Sequence, residues 1–223
     1  MKQLFLLLLL CILIAPTGNA QKAKEKYSPE TIKYFEDIAF GAEYNGEKKV
    51  IRKWNTPIHV FVLGEDIPVL SNEIDKIIKE LKNISKNIQI KRVYDKEDSN
   101  FLVFFGAKED YIALEPKVAP YNDLGFFWVY PNKKNELYKG SLYLDTNRML
   151  ANDTRLHFLR EELTQALGLM QDSELYYDSI FYQKWSLTNQ YSKIDKQVIE
   201  ILHLPQIKCG MSVEEVRRVL EKI

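Results

Sequence analysis

The chain has 223 residues, with 31 Lys and Arg against 31 Asp and Glu, and 46% of its residues are hydrophobic. A balance of zero argues against nucleic acid as a partner, since such proteins carry a basic surface. The apolar content is enough for one domain with a sizeable core, or at most two small ones.

The first residues read "MKQLFLLLLLCILIAPTGNAQKAKEK": Lys2, an apolar run from Leu4 to Ala15, the breaker Pro16, and small residues at Gly18 and Ala20. These are the parts of a secretory signal peptide over residues 1–20, with cleavage expected near Ala20. The apolar run is shorter than the roughly 20 residues that span a bilayer, so residues 21–223 are expected to be secreted or periplasmic and not membrane-spanning. Cys11 follows three leucines where a lipid-attachment box wants a small residue, which argues against a lipoprotein. Without the leader, 30 basic and 31 acidic residues remain and Cys209 stands alone. It cannot form an intramolecular disulfide, although the compartment permits one, so the core must supply the stability.

Residues 21–26 form a charged terminus. Ser28 and Pro29 then open a helix with Ile32, Phe35, Ile38 and Ala39 on one stripe before Gly41. "PIHVFVLG" is a strand between Pro57 and Gly64, and Ile74, Ile77, Ile78 and Leu81 mark a second helix from about Val69 to Ile84. "IQIKRV" and "NFLVFFG" are strands, the second apolar throughout and therefore central. "GFFWVY" and "GSLYLD" form a hairpin around "PNKKNEL", which places an antiparallel strand near the sheet edge. After Asn152, Leu156, Leu159, Leu163, Ala166 and Leu167 form a helical stripe that Gly168 ends, and two capped helices follow, Ser192 with Asp195 and Ser212 with Glu215. With no linker or repeat between them, these elements predict one α+β domain over 21–223, a mixed sheet backed by helices on one side.

The stretch "REELTQALGL", residues 160–169, holds the chemistry. At about 100° per residue, His157, Glu161, Gln165 and Gly168 share one sector, the leucines lie opposite, and Glu162 falls to the side. Glu161 and Gln165 therefore face water, as the polar side of an ordinary amphipathic helix, or the aromatic and polar segment that follows Gly168. Gly168 also allows another segment to approach the helix end closely.

This pattern resembles the His-Glu-x-x-His-x-x-Gly helix of metzincin peptidases, in which two histidines hold zinc and the glutamate is the general base. Anchored on Gly168, the resemblance puts Glu161 and Gln165 at the histidine positions, Glu162 at the base, and Gln171 at the third ligand, with Asp172 one residue beyond. "DSIFYQKWSLTNQYSKIDKQVIEIL" is similar to the Ser-Ile-Met-Tyr turn and the Leu-Ser-x-x-Asp start of the last helix in matrix-type members, with Phe181 at the methionine. Over about residues 55–205 the resemblance implies a zincin-like fold whose antiparallel edge strand binds extended peptide. A closer similarity, carried by Glu-Glu-x-Thr-Gln-x-Leu-Gly-Leu, the following "DS", the late "GM", "YFEDIAFGAEY" and "KWNTPIHVFV", is to the domain of unknown function 2927 family of bacterial envelope proteins. Cys209 stands where that family has Pro.

Catalytic zinc needs three good donors, and one carboxylate with two neutral amides is not that set, so neither a metal nor another cofactor is expected. Calcium would find only Glu161, Gln165 and Asp172 of the six or more oxygens it takes. A His157-Glu161 pair is a further metal arrangement, set against a half-exposed histidine near the helix start; His59 and His203 receive no role. Glu161 and Glu162 diverge by about 100°, which disfavours a carboxylate pair acting on one atom. Three functions stay open. The first is a binding domain that has lost zinc catalysis, uses Glu161, Gln165 and Asp172, and takes a peptide or envelope protein in its cleft. The second is a hydrolase with Glu162 as general base and Glu161 and Gln165 positioning substrate or a weakly held cation. The third is a structural envelope protein.

Overall fold

The computed structural model describes residues 26–40 and 49–223. The leader with its cleavage near Ala20, Cys11 and Gly41 lie outside the described residues.

The first helix, α1 (Pro29–Ala39), starts at its cap: Ser28 Oγ accepts from the Thr31 amide at 3.2 Å and Pro29 takes the first turn. Two strands follow, β1 (Lys53–Trp54) and β2 (Ile58–Gly64), then α2 (Pro68–Ile84), which buries Leu70, Ile74, Ile77, Ile78 and Leu81. Next come β3 (Ile90–Arg92), β4 (Phe101–Gly106), α3 (Lys108–Leu114), β5 (Gly125–Pro131) and β6 (Glu136–Asp145). The chain finishes with α4 (Asn152–Gln165), α5 (Lys193–Leu202) and α6 (Val213–Leu220). Both α5 and α6 carry full capping boxes, Ser192 with Asp195 and Ser212 with Glu215.

β4 lies between β2 and β6 and is parallel to both, the place its unbroken apolar run requires. β3 pairs parallel with β2, and β1 with the start of β6 through Trp54 and Leu137. β5 runs antiparallel to β6, from Gly125 opposite Leu144 to Val129 opposite Gly140. The result is a mixed α/β fold with a mostly parallel sheet and, among the described residues, six helices. No helix among them is long and apolar enough to cross a membrane.

The main core gathers one sheet face with the buried sides of α1, α2, α4, α5 and α6. A second cluster, Phe104, Tyr111, Val118, Phe126 and Tyr143, lies on the opposite face under α3 and the 3₁₀ turn Pro116–Val118. Helices on one side only is therefore corrected. Tyr111 stacks on Tyr143 at 4.7 Å and shares a 2.6 Å hydrogen bond with Ser141, while Tyr111 is the one fully buried residue of α3. One anchor in seven residues leaves no periodicity to read.

The end of α5 is held by two buried groups. Lys53 Nζ donates to the Leu202 and Leu204 carbonyls at 2.9 and 3.4 Å, and burial pulls its pKa down to about 8. His203 meets the Ile199 carbonyl through Nδ1 at 2.8 Å, and burial lowers its pKa to about 4. Above pH 6.5 this ring is neutral in folded and unfolded chains alike; between 6.5 and 4 only the unfolded chain takes the proton. Stability should therefore fall with pH across that window, by about 3 kcal/mol at its lower end. Urea unfolding of wild type and His203→Gln at pH 7.5 and 4.5 checks this: the acid loss should be smaller in the variant. The buried carboxyls of Asp172 and Asp195, whose pKa values burial raises, act with the opposite sign but equally in both proteins.

Candidate functional site

Helix α4 has no solvated face over its last two turns. Arg160, Glu161, Glu162, Leu163, Thr164 and Gln165 are all buried, and Glu161 is 8% and Gln165 5% exposed. The helix packs against α2 on one side and against β5 and β6 on another. The segment from Leu169 to Tyr191 crosses what remains: Asp172, Trp185, Thr188 and Tyr191 each touch it. The solvated-face alternative is thereby overturned, and so is the half-exposed His157, which is 4% exposed.

The largest fully buried side chain on the helix is Arg160, with no exposed surface. Its Nη2 donates to Glu73 and its Nη1 to Glu80, both at 2.5 Å and both on α2. The guanidinium lies 4.6 Å from the Tyr191 ring centroid. Thr164 Oγ1 gives its proton to the Arg160 carbonyl at 2.6 Å, so the Tyr191 hydroxyl donates to Thr164 at 2.7 Å. The sequence carries a signal for Arg160: 156, 159, 160 and 163 are i, i+3, i+4 and i+7 on one apolar stripe, so a cation at 160 needs acids on the neighbouring element.

The expected binding residues separate into pairs. Gln165 Nε2 donates to Asp172 Oδ1 at 2.6 Å; burial pushes the Asp172 carboxyl up, and the amide pulls it back part of the way. His157 Nδ1 lies 2.6 Å from the Thr188 carbonyl, an acceptor only, so Nδ1 carries the proton. Its Nε2 lies 3.3 Å from Glu161 Oε2, and burial lowers the ring's pKa. Glu162 turns toward the sheet instead: a Cβ added at Gly125, the first residue of β5, would stand 3.0 Å from Glu162 Oε1 and 2.9 Å from the Phe158 ring. The two glutamates thus diverge as helical geometry demands.

Gly168 has φ +126°, and a Cβ there would lie 2.0 Å from the Arg52 carbonyl oxygen. The close approach comes from the chain entering β1, next to Trp54, whose Nε1 donates to the Ala166 carbonyl at 2.9 Å. The turn at Ser179-Ile180-Phe181 is buried and tied down from both ends of the chain. Ser179 shares a 2.7 Å hydrogen bond with Tyr34 of α1 and donates to Asp195 of α5 at 2.6 Å, and Asp195 also accepts from the Ile180 amide. Ser173 N donates to the Phe181 carbonyl, which closes the loop on itself.

The zinc that a zincin fold implies does not fit this donor set. At the second ligand position Gln165 directs an N–H donor at Asp172, and the third position offers only another neutral amide, Gln171. Among the described residues no group of three or more His, Cys, Asp or Glu gathers as a metal site would require.

A family model described as Protein of unknown function (DUF2927) matches residues 29–222. No curated protein matches the chain.

Removing Arg160 should leave Glu73, a buried residue, with only the exposed Lys76 as a cationic partner. Arg160→Met is expected to lose about 3 to 5 kcal/mol of stability, and the double variant Arg160→Met/Glu73→Leu to recover a large part of it. Urea unfolding of the two variants and of Glu73→Leu alone gives the coupling; additive losses would show that the pair does not hold α2 to α4.

Proposed function

The chain belongs to the family described as Protein of unknown function (DUF2927), and from that premise we propose that it is a secreted or periplasmic, zincin-like domain without zinc peptidase activity that binds an extended segment of a peptide or envelope protein beside α4. One observation carries the reading, the outward side of β5. The Asp145 amide donates to the Leu124 carbonyl, so 124 and 145 are a hydrogen-bonded pair, and by alternation 126, 128 and 130 turn their polar groups to β6. Phe127 and Val129 turn theirs away, and β5 pairs with no described strand other than β6. An extended peptide adds to such an edge through its main chain. Glu161, Gln165 and Asp172 then serve as supports of the cleft wall on α4, held by the bonds described above.

Glu162 favours a second reading, a hydrolase, because its carboxylate stands against Gly125 at the start of the same strand. There Glu162 would act as general base, with Glu161 and Gln165 positioning substrate.

A labelled pool of unstructured octapeptides, passed over the immobilised mature chain, tests the first reading. Val129→Pro removes one outward N–H and leaves the bonds to β6 intact, so retention should fall about tenfold. A pool that passes without retention would leave the structural envelope role instead, and cleavage that stops in Glu162→Gln would promote the hydrolase.

The geometry of the motif is tested separately. Wild type purified without chelator should contain no stoichiometric zinc, whereas the Glu161→His/Gln165→His variant should take up one equivalent by elemental analysis. A folded double variant that stays metal-free would remove the zincin alignment.

A further inference from the structure

A groove of about 750 Å³ opens between the second half of α2 and the start of α5, on the far side of the Arg160 ion pairs from the motif face of α4. Its charged lining is three lysines, Lys76, Lys193 and Lys196, and two carboxylates, Glu80 and Glu200. Both carboxylates are already engaged by groups outside the groove. Glu80 accepts from Arg160 at 2.5 Å, and Glu200 accepts from Lys26 at 3.0 Å and from the Tyr27 hydroxyl at 3.1 Å. Lys76 is spent on Glu73 at 3.3 Å. Lys193 and Lys196 form no ion pair among the described residues. They stand three apart on α5, so their side chains leave the helix as neighbours on the same face. Gln197, between α5 and α1, accepts from Thr31 through Oε1, which leaves its amide N–H groups as further donors, and Asn83 adds another amide across the groove.

We propose that this groove is a binding site for a small soluble polyanion, a ligand with two phosphate, sulfate or carboxylate groups that Lys193 and Lys196 engage together. Prior neutralisation of Glu80 and Glu200 leaves the lining with an excess of positive charge and donors, although the chain as a whole is balanced. The recess is of the size that holds small molecules. The floor is rigid, because Tyr191 is fixed by Arg160 and Thr164. An isolated anion reaching one lysine gains little at an exposed site, whereas two anionic groups on one ligand gain both contacts for one loss of free motion.

Calorimetric titration of the mature chain with inorganic pyrophosphate at low salt tests this, with orthophosphate as the single-group control. Saturable one-to-one binding of pyrophosphate is expected, at least about tenfold tighter than orthophosphate. Lys193→Gln/Lys196→Gln, both at exposed positions, should abolish that preference, while Lys117→Gln/Lys139→Gln, the same charge change beside β5, should leave it unchanged. Absence of saturable binding by wild type, or equal losses in the two double variants, would overturn the proposal. So would sedimentation with phosphatidylglycerol vesicles that depends on Lys193 and Lys196 without any pyrophosphate binding, since the anion would then belong to a lipid surface.

Discussion

The structure depends on a charge with nowhere to go. Arg160 has no exposed surface, and a guanidinium taken out of water must find carboxylates or the fold fails. Glu73 and Glu80, two turns apart on α2, supply them, which fixes how α2 lies along α4. Tyr191 closes over the cation and bonds to Thr164, so the segment that covers α4 ends on the same group. Three pieces of chain, otherwise free to slide on apolar surfaces, share one set of polar contacts. Hydrophobic attraction is non-directional, whereas the guanidinium presents its N–H groups in a fixed fork that its carboxylates must meet.

The motif helix follows from that placement. With Arg160 directed at α2, the leucines at 159 and 163 enter the core, and Glu161 and Gln165 fall under the covering segment. Burial then demands partners. Gln165 has Asp172, and His157 has the Thr188 carbonyl. On the zincin-like reading proposed above, hydrogen bonds stand where a metal would otherwise tie the helix to the next segment. An amide donating to a carboxyl closes that contact, but it supplies no Lewis acid and polarises no water.

What could be read from the sequence divides by the range of the signal. The caps at Ser28, Ser192 and Ser212 are local, and each appears in place. The apolar run of β4 names a strand buried on both faces, and β4 is central. The shared sector of His157 and Glu161 was legible as helical geometry, and so was the divergence of Glu162. Other features depend on partners far away in the chain. β1 is two residues long and exists because Trp54 and Lys53 meet β6 and α5. α3 is held by one tyrosine. The segment close to Gly168 could be foreseen as a close approach, but its identity, Arg52, is set by a contact across more than a hundred residues that no local pattern encodes. The capacity of Gln165 to donate to Asp172 was present in the residue types; that the two meet depends on the whole covering loop.

The hydrogen-bonded chain from Tyr34 through Ser179 to Asp195 has a consequence for the order of assembly. Ser179 bonds to a residue 145 positions earlier and to one 16 positions later, so the turn gains its full set of bonds only when both α1 and α5 have docked. Such long closures are slow steps. The full cover over α4 therefore requires the first and the fifth helices to be in place, so the site's enclosure is only as firm as the docking of two helices that contribute no residue to it.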